Sequence, residues 1–207
     1  MRFVGIDVGV AAMHCVVLDG SCHMSAAQAL PSDAATELKA LTHDATAIAI
    51  DAPSSLSTGP HAGDEELAPK FRLARCCEIA LGREHGLWVP WATPIAGAAV
   101  PGWMQVGFGL YQALVAAGHS PIEVYPYAGF RVLAGGRLPP KRTIAGVRAR
   151  VTLLHRQGVG AEGMQLWSHD ALDAALAALL ALQAHEGTAI PVGCGHDSSA
   201  IWIPRSG

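Results

Sequence analysis

The chain has 207 residues, of which 51% are hydrophobic and 15% are charged, and its formal net charge at pH 7 is −3. This composition excludes a disordered chain, and the negative charge excludes a protein that is basic overall and binds nucleic acid for that reason. The length indicates a single domain, residues 1–207, that is large enough to bury a substantial core.

The first residues carry no signal-peptide pattern, and no apolar stretch reaches the about 18 residues that a membrane span requires. The five cysteines are odd in number and contain no Cys-x-x-Cys pair. We therefore expect a reducing, cytoplasmic setting and no membrane association. Cys194 and His196 could contribute to a zinc site, but no second ligand pair has suitable spacing, so zinc is not expected.

Three apolar segments separated by short turns open the chain, at residues 3–8, 13–18 and 23–30. Neighbouring strands with such short connections are typical of an antiparallel meander. A helix follows, for which Ser32 or Asp33 is the candidate N-cap.

A fourth strand, residues 46–50, consists of small and β-branched residues and ends at Asp51. The stretch from 53 to 102 is rich in Pro, Gly, His and Trp, and it contains one helical piece at residues 71–81. This composition favours an insertion after the fourth strand rather than part of the sheet.

The second half of the chain alternates between helices and strands. A helix at residues 105–117 ends before a glycine, a strand follows at 122–125, and a second helix spans 143–157. Ser168 then caps a long helix rich in alanine and leucine at residues 169–185.

Two short apolar runs, residues 189–192 and 201–203, finish the chain. Hairpins followed by alternation predict an α/β fold with a mixed five-stranded sheet, which combines an antiparallel meander with parallel strands and is flanked by helices.

Acidic residues recur at the ends of these elements. Asp7 and Asp51 both close apolar strands, and they would lie side by side if the two strands are parallel neighbours. Asp170 and Asp173 are three residues apart on one helix and therefore share a face. Glu123 lies inside the fifth strand. A turn would also explain Asp51, and the helix dipole would also explain Asp170.

Asp173 and Glu123 have apolar neighbours, where an unpaired charge would cost several kcal/mol. Carboxylates gathered in one cleft also repel one another, by roughly 4 kcal/mol per pair at about 4 Å. A divalent cation relieves this repulsion, and ligands that are all carboxylates favour Mg²⁺ or Mn²⁺ over Zn²⁺. Two such ions can support the cleavage of a phosphodiester bond.

Residues 124–161 contain no acid and hold half of the lysines and arginines. Such a stretch indicates either a solvated face or a surface for phosphate groups. Lys141 and Arg142 are its best candidates for contacting a substrate phosphate. Arg75 is a third candidate, although it could equally form an exposed ion pair with Glu78, one helical turn away.

The acidic pattern resembles the ribonuclease H-like superfamily, and within it the RuvC-type Holliday-junction resolvases. Those enzymes have one Asp on the first strand, an acid at the end of the fourth and a D-x-x-D pair on the last core helix. The matching positions are Asp7, Asp51, Asp170 and Asp173. One departure is Asp51, which stands where the resolvases use a longer glutamate.

The whole chain more closely resembles the DUF429 family of predicted nucleases. The segments that carry this resemblance are Gly5-Ile6-Asp7, Ile50-Asp51-Ala52-Pro53, Arg75-Cys76-Cys77-Glu78, Ile122-Glu123-Val124-Tyr125-Pro126, His169-Asp170-Ala171-Leu172-Asp173-Ala174 and Ile201-Trp202-Ile203-Pro204. The resemblance implies a ribonuclease H-like fold and a metal-dependent nuclease that acts on DNA or RNA, with a homodimer conceivable.

The resemblance also implies roles for individual residues. Asp7, Asp51, Asp170 and Asp173 would hold Mg²⁺ or Mn²⁺, and Glu123 would be a further catalytic residue. Two other hypotheses stay open. In the first, the fold is a catalytically idle binding module whose acids hold structural ions or form salt bridges with the arginine-rich stretch. In the second, the chain is an actin-like ATPase or kinase, although no hydroxyl side chain follows the first strand to position a phosphate.

Overall fold

The computed structural model describes residues 1–161, 163–195 and 197–205. Within these residues the chain forms one mixed sheet with helices on both faces. The strands are β1 (Arg2–Val8), β2 (Ala12–Asp19), β3 (Met24–Pro31), β4 (Ala47–Asp51), β5 (Ile122–Val124), β6 (Ala189–Val192) and β7 (Ile201–Pro204). The helices are α1 (Ala35–Thr42), α2 (Cys76–His85), α3 (Gly102–Ala116), α4 (Pro126–Ala134), α5 (Ile144–Arg156) and α6 (His169–His185).

The strands of the described residues lie in the order β3-β2-β1-β4-β5-β7-β6. The first three form an antiparallel meander, whereas β4 runs parallel to β1, β5 to β4 and β7 to β5. This topology confirms the predicted ribonuclease H-like sheet. It also extends the predicted five strands, because the last two apolar runs pair with each other as β6 and β7 and join the sheet beside β5.

The side chains of β1 alternate between the two faces of the sheet. Ile6 points into the core that α1 and α3 cover, whereas Gly5 faces α6. A Cβ added at Gly5 would lie 2.1 Å from backbone atoms of Ala174 and Ala178. The absence of a side chain at this position therefore lets α6 pack directly on β1, which brings the first turns of α6 close to Asp7.

Side-chain hydroxyls cap the last two helices. Thr143 and Ser168 accept hydrogen bonds of 3.0 and 3.1 Å from backbone N–H groups three residues later, as expected for N-caps. The predicted cap of α1 at Ser32 or Asp33 is wrong, because the N-cap is Ala34 and has no side-chain hydrogen bond. The Ser32 hydroxyl instead donates to a backbone carbonyl in the turn between β1 and β2.

The sequence does not predict α4, because Pro126 directly follows the predicted strand at residues 122–125. Pro126 occupies the first helical position, where its missing N–H would have no partner in any case. The buried ring of Phe130 anchors the helix in the core shared with α6, and Gly135 ends it in the left-handed conformation.

Between β4 and α3 the chain forms α2 and a short 3₁₀ turn at Pro69–Phe71. Leu67 and Leu81 from this segment pack with Ile203 of β7 in a third core cluster. That residues 53–102 are an insertion stays a prediction. No helix in the described part of the chain is long and apolar enough to cross a membrane.

Candidate metal centre

Asp7 and Asp51 end two neighbouring parallel strands. The register of β1 and β4 sets them directly opposite each other, on the face of the sheet that α6 covers. The two carboxyl groups are close enough for each to alter the pKa of the other. The side-by-side arrangement that the sequence predicts for these two acids is therefore present in the structure.

α6 brings two further acids to the same place. Asp170 lies in its first turn with a side chain that is 35% exposed, and Asp173 follows one turn later and is buried. Carboxylate oxygens of Asp7, Asp51 and Asp173 all lie within 4.8 Å of one another. We refer to Asp7, Asp51, Asp170 and Asp173 as the acidic cluster.

The proximity of these acids changes their protonation. Burial, with the neighbouring charges of Asp173 and Asp170, raises the pKa of Asp7 to about 7. Burial and the charge of Asp7 raise the pKa of Asp51 well above its usual range. Burial also raises the pKa of Asp173. In the absence of a cation the cluster therefore retains protons near neutral pH, as expected of carboxylates that are short of positive charge.

Lys141 supplies one positive charge. Its Nζ atom lies 2.7 Å from Oδ2 of Asp173 and 3.8 Å from Oδ1 of Asp170. Burial alone would lower the pKa of Lys141, but the charge of Asp173 and the hydrogen bond to it outweigh this effect and raise the pKa. The lysine that the sequence proposed for a substrate phosphate thus lies in contact with the acidic cluster.

The cluster lines a cleft of about 580 Å³. Lys141 and Arg150 also line it, as do the aromatic side chains of Trp91, Trp103 and Tyr127. The cleft thus combines carboxylates, two cations and flat apolar rings.

His14 also lines the cleft, although no motif in the sequence marks it. The antiparallel register of β1 and β2 sets it opposite Asp7, and its Nδ1 atom lies 4.0 Å from Asp7 Oδ2. His14, Asp7 and Asp170 form a second group of ligand atoms within 4.8 Å. The predicted hairpin could have identified His14 if its register had been worked out residue by residue.

Glu123 lies apart from the cluster. It is paired in register with Ile50, whose side chain points into the core on the opposite face from α6. There its carboxylate accepts two hydrogen bonds from the guanidinium of Arg75 and one from the backbone N–H of Ser54. The structure thus does not bring Glu123 together with the four aspartates.

Arg75 is likewise absent from the lining of the cleft, because it is 1% exposed and engaged with carboxylates. It binds Glu123 and also Glu78, whose carboxylate accepts further hydrogen bonds from Thr93. The alternative of an exposed Arg75–Glu78 pair is wrong, since both side chains are buried. Arg142 lines a separate cavity of about 390 Å³.

The residues present suit a divalent cation. Three carboxylates converge, all of their donors are oxygens, and their raised pKa values show a deficit of positive charge that one lysine does not remove. Hard oxygen ligands of this kind suit Mg²⁺ or Mn²⁺. Asp7, Asp51 and Asp173 would hold one ion, and Asp7 and Asp170 with His14 could contribute to a second.

Comparisons with known proteins agree with the expected family. The profile of the family described as "Protein of unknown function (DUF429)" matches residues 5–194. No curated protein matches the sequence.

Two solved structures of RuvC from Thermus thermophilus are similar in fold. The first is 17% identical and matches over 91% of this chain and 98% of that chain, with a TM-score of 0.49. The second, RuvC in complex with a Holliday junction substrate, is 16% identical over 91% of this chain and 97% of that chain, with a TM-score of 0.49. Similarity at this level carries no information about activity or substrate.

Proposed function

We propose that this chain, which belongs to the DUF429 family, is a nuclease that hydrolyses phosphodiester bonds of nucleic acid with the help of Mg²⁺ or Mn²⁺. The observation that carries the proposal is the convergence of Asp7, Asp51 and Asp173 within 4.8 Å in a cleft. A fold that only needed stability would avoid this arrangement, because each carboxylate raises the cost of ionising the others.

The four aspartates would act as metal ligands, and Asp7 belongs to both groups of ligand atoms, as a residue shared by two ions would. When bound, the ions would supply an activated water and charge stabilisation at the leaving oxygen. Glu123 is not among the proposed ligands, because Arg75 holds it on the other face of the sheet.

Lys141 would bind the substrate backbone. It lines the cleft and is close enough to Asp173 to exchange that contact for a phosphate oxygen once a cation neutralises the carboxylates. Arg150 also lines the cleft, but it is 2% exposed and donates to the backbone carbonyls of Pro139 and Gly146. The rings of Trp91, Trp103 and Tyr127 offer stacking surfaces for bases, which favours a substrate with unpaired nucleotides over a uniform duplex.

The test is a cleavage assay on single-stranded, duplex and branched DNA and on the matching RNAs, with Mn²⁺, Mg²⁺ or EDTA. We expect cleavage only with a divalent cation. Asp7→Asn and Asp173→Asn should each lower the rate by about 100-fold or more, because each removes a charged ligand. Asp33→Asn, which alters an exposed acid outside the cleft, should retain activity. If Asp7→Asn and Asp173→Asn were each as active as the native chain, the proposal would be contradicted.

A second candidate is an idle binding module, which the contact between Lys141 and Asp173 favours. In that case the lysine is a permanent counter-ion, and Mn²⁺ should leave the melting temperature unchanged. A metal-dependent rise in melting temperature that is lost in Asp7→Asn would exclude this alternative.

A further inference from the structure

A second group of metal-binding side chains lies outside the acidic cleft. His61 comes from the loop before α2, Cys76 is the first residue of α2, and Cys194 follows β6. One ligand atom from each lies within 4.8 Å of the other two. Cys76 and Cys194 are separated by 118 residues, so no local spacing in the sequence could reveal the group. We refer to these three residues as the thiol cluster.

The donors of the thiol cluster suit a soft metal ion when the two cysteines are reduced. The structure joins the Sγ atoms of Cys76 and Cys194 as a disulfide, and their Cα atoms are 5.4 Å apart. The Nε2 atom of His61 lies 3.9 Å from Cys194 Sγ. Reduction of the disulfide would leave two thiols beside this imidazole. Two thiolate sulfurs and one imidazole nitrogen are donors that zinc prefers.

We propose that, when Cys76 and Cys194 are reduced, their thiolates and His61 bind a zinc ion. The three residues leave the fourth tetrahedral position to water or to another donor. The sequence alone suggests Cys194 with His196, and His196 lies outside the described residues. No second ligand pair has suitable spacing in the sequence, whereas the fold brings His61 and Cys76 to Cys194.

Cys76 is tied to the loop between β6 and β7. It is the first residue of α2. Its backbone N–H donates to Asp197 Oδ2 at 3.2 Å, and Asp197 also accepts from the backbone N–H of Ser199 at 2.9 Å. This carboxylate joins the start of α2 to the loop between β6 and β7.

The neighbouring Cys77 shows the contrast. Burial raises the pKa of its thiol to about 12, so it stays protonated and packs in the third core cluster. The two adjacent cysteines therefore differ in environment: Cys77 packs in the core, and Cys76 belongs to the thiol cluster.

The zinc ion would fasten three separate segments together: the loop that carries His61, the start of α2, and the loop after β6. Arg75, which precedes Cys76, is the residue that binds Glu123 of β5. The zinc site would therefore hold residues 53–101 against the edge of the sheet, and this role does not depend on the proposed nuclease activity.

The test uses the full chain, purified under reducing conditions with Mg²⁺ in excess to saturate the acidic cluster. Elemental analysis should find about one zinc ion per chain. Replacing zinc with Co²⁺ should produce the intense sulfur-to-cobalt charge-transfer band of a thiolate site. Cys76→Ser and Cys194→Ser should lose the bound zinc and the band, and His61→Ala should weaken binding at least about 10-fold.

Cys22→Ser is the matched control, because it removes a half-exposed thiol outside the cluster and should retain both signals. A second measurement needs no variant: zinc should protect Cys76 and Cys194 of the native chain from alkylation, while Cys22 still reacts. Absence of zinc and of the cobalt band in protein whose thiols are shown to be reduced would overturn the proposal. So would a band that persists in Cys194→Ser, since the metal would then be bound elsewhere.

Discussion

The titration of Asp7 is the most informative property at the scale of single residues. Its pKa is raised to about 7, so the folded protein binds a proton that the unfolded chain has already released near pH 4. The stabilisation from protonated Asp7 is complete below about pH 4, declines as the pH rises and is lost above about pH 7. The metal-free protein should therefore become less stable across this window.

Asp7→Asn should reduce this loss of stability, because asparagine does not ionise. The free energy of unfolding of Asp7→Asn minus that of the native chain should be larger at pH 8 than at pH 5. We expect the increase to be roughly 1–3 kcal/mol, since one pKa unit corresponds to about 1.4 kcal/mol. Denaturant unfolding of both proteins with EDTA at the two pH values measures this increase. Asp33→Asn should follow the native profile, and parallel profiles for Asp7→Asn and the native chain would contradict the raised pKa.

Lys141 offers a second prediction at this scale. Lys141→Met leaves buried Asp173 without its nearest cation, which should lower the free energy of unfolding of the metal-free protein by about 1–3 kcal/mol, given that the lysine is partly exposed. Mn²⁺ should then stabilise the variant more than the native chain, because no ammonium group competes for Asp173. Calorimetric unfolding with and without Mn²⁺ measures both effects.

Arg148→Met is a suitable control, because Arg148 lines the separate cavity with Arg142 rather than the cleft. A Lys141→Met protein that is destabilised and gains nothing from Mn²⁺ would favour the idle-module hypothesis.

At the scale of elements, the close packing of α6 on β1 sets the position of the acidic cluster. Gly5→Ala would put a Cβ 2.1 Å from backbone atoms of α6. The backbones of β1 and α6 cannot move apart without a loss of packing between them. The variant should lose about 3 kcal/mol or more of stability, at the upper end of what overpacking costs. Gly109→Ala is the matched control.

Gly109 lies in α3 with no atom near an added Cβ, so Gly109→Ala should raise the free energy of unfolding by about 0.5–1 kcal/mol. Equilibrium unfolding of the two variants tests the difference directly. A Gly5→Ala protein of native stability would mean that α6 does not lie against β1 at this distance.

The Arg75–Glu123 contact fastens α2 to β5, and it gives a prediction that separates structure from catalysis. Glu123→Gln should lower the free energy of unfolding by roughly 2–5 kcal/mol, because a buried guanidinium loses its partner charge. The Mn²⁺ affinity of the folded protein should change little, since Glu123 faces away from the cluster. Glu84→Gln, an exposed change on α2, should alter neither quantity. A large loss of Mn²⁺ affinity in Glu123→Gln would contradict this and indicate that Glu123 contributes to the metal site.

The positions of the aspartates were largely predictable from the sequence, and the position of Glu123 was not. The strand ends predict that Asp7 lies beside Asp51, the spacing on α6 puts Asp170 and Asp173 on one face, and the family resemblance groups the two pairs. Alternation along β5 shows that Glu123 points opposite to Ile122 and Val124, but the sequence does not tell which face α6 covers. That choice depends on long-range packing, to which Gly5 contributes.

At the scale of the whole molecule, contacts between distant segments account for most of what the sequence could not predict. The mixed sheet and the family resemblance follow from local patterns and are confirmed. The thiol cluster joins residues 118 and 133 positions apart, and β6 and β7 become strands only because they pair beside β5. Such features depend on the closed fold, so periodicity and short motifs do not contain them.

The central claim concerns the whole cleft: Asp7, Asp51 and Asp173 form a metal site that brings the ion to a nucleic-acid substrate. The most direct measurement is the anomalous scattering of a crystal soaked in Mn²⁺. The account predicts an anomalous peak between these three carboxylates, with Lys141 moved away from Asp173, and no such peak in Asp7→Asn. A cleft that shows no peak at saturating Mn²⁺, with Lys141 still bound to Asp173, would contradict it.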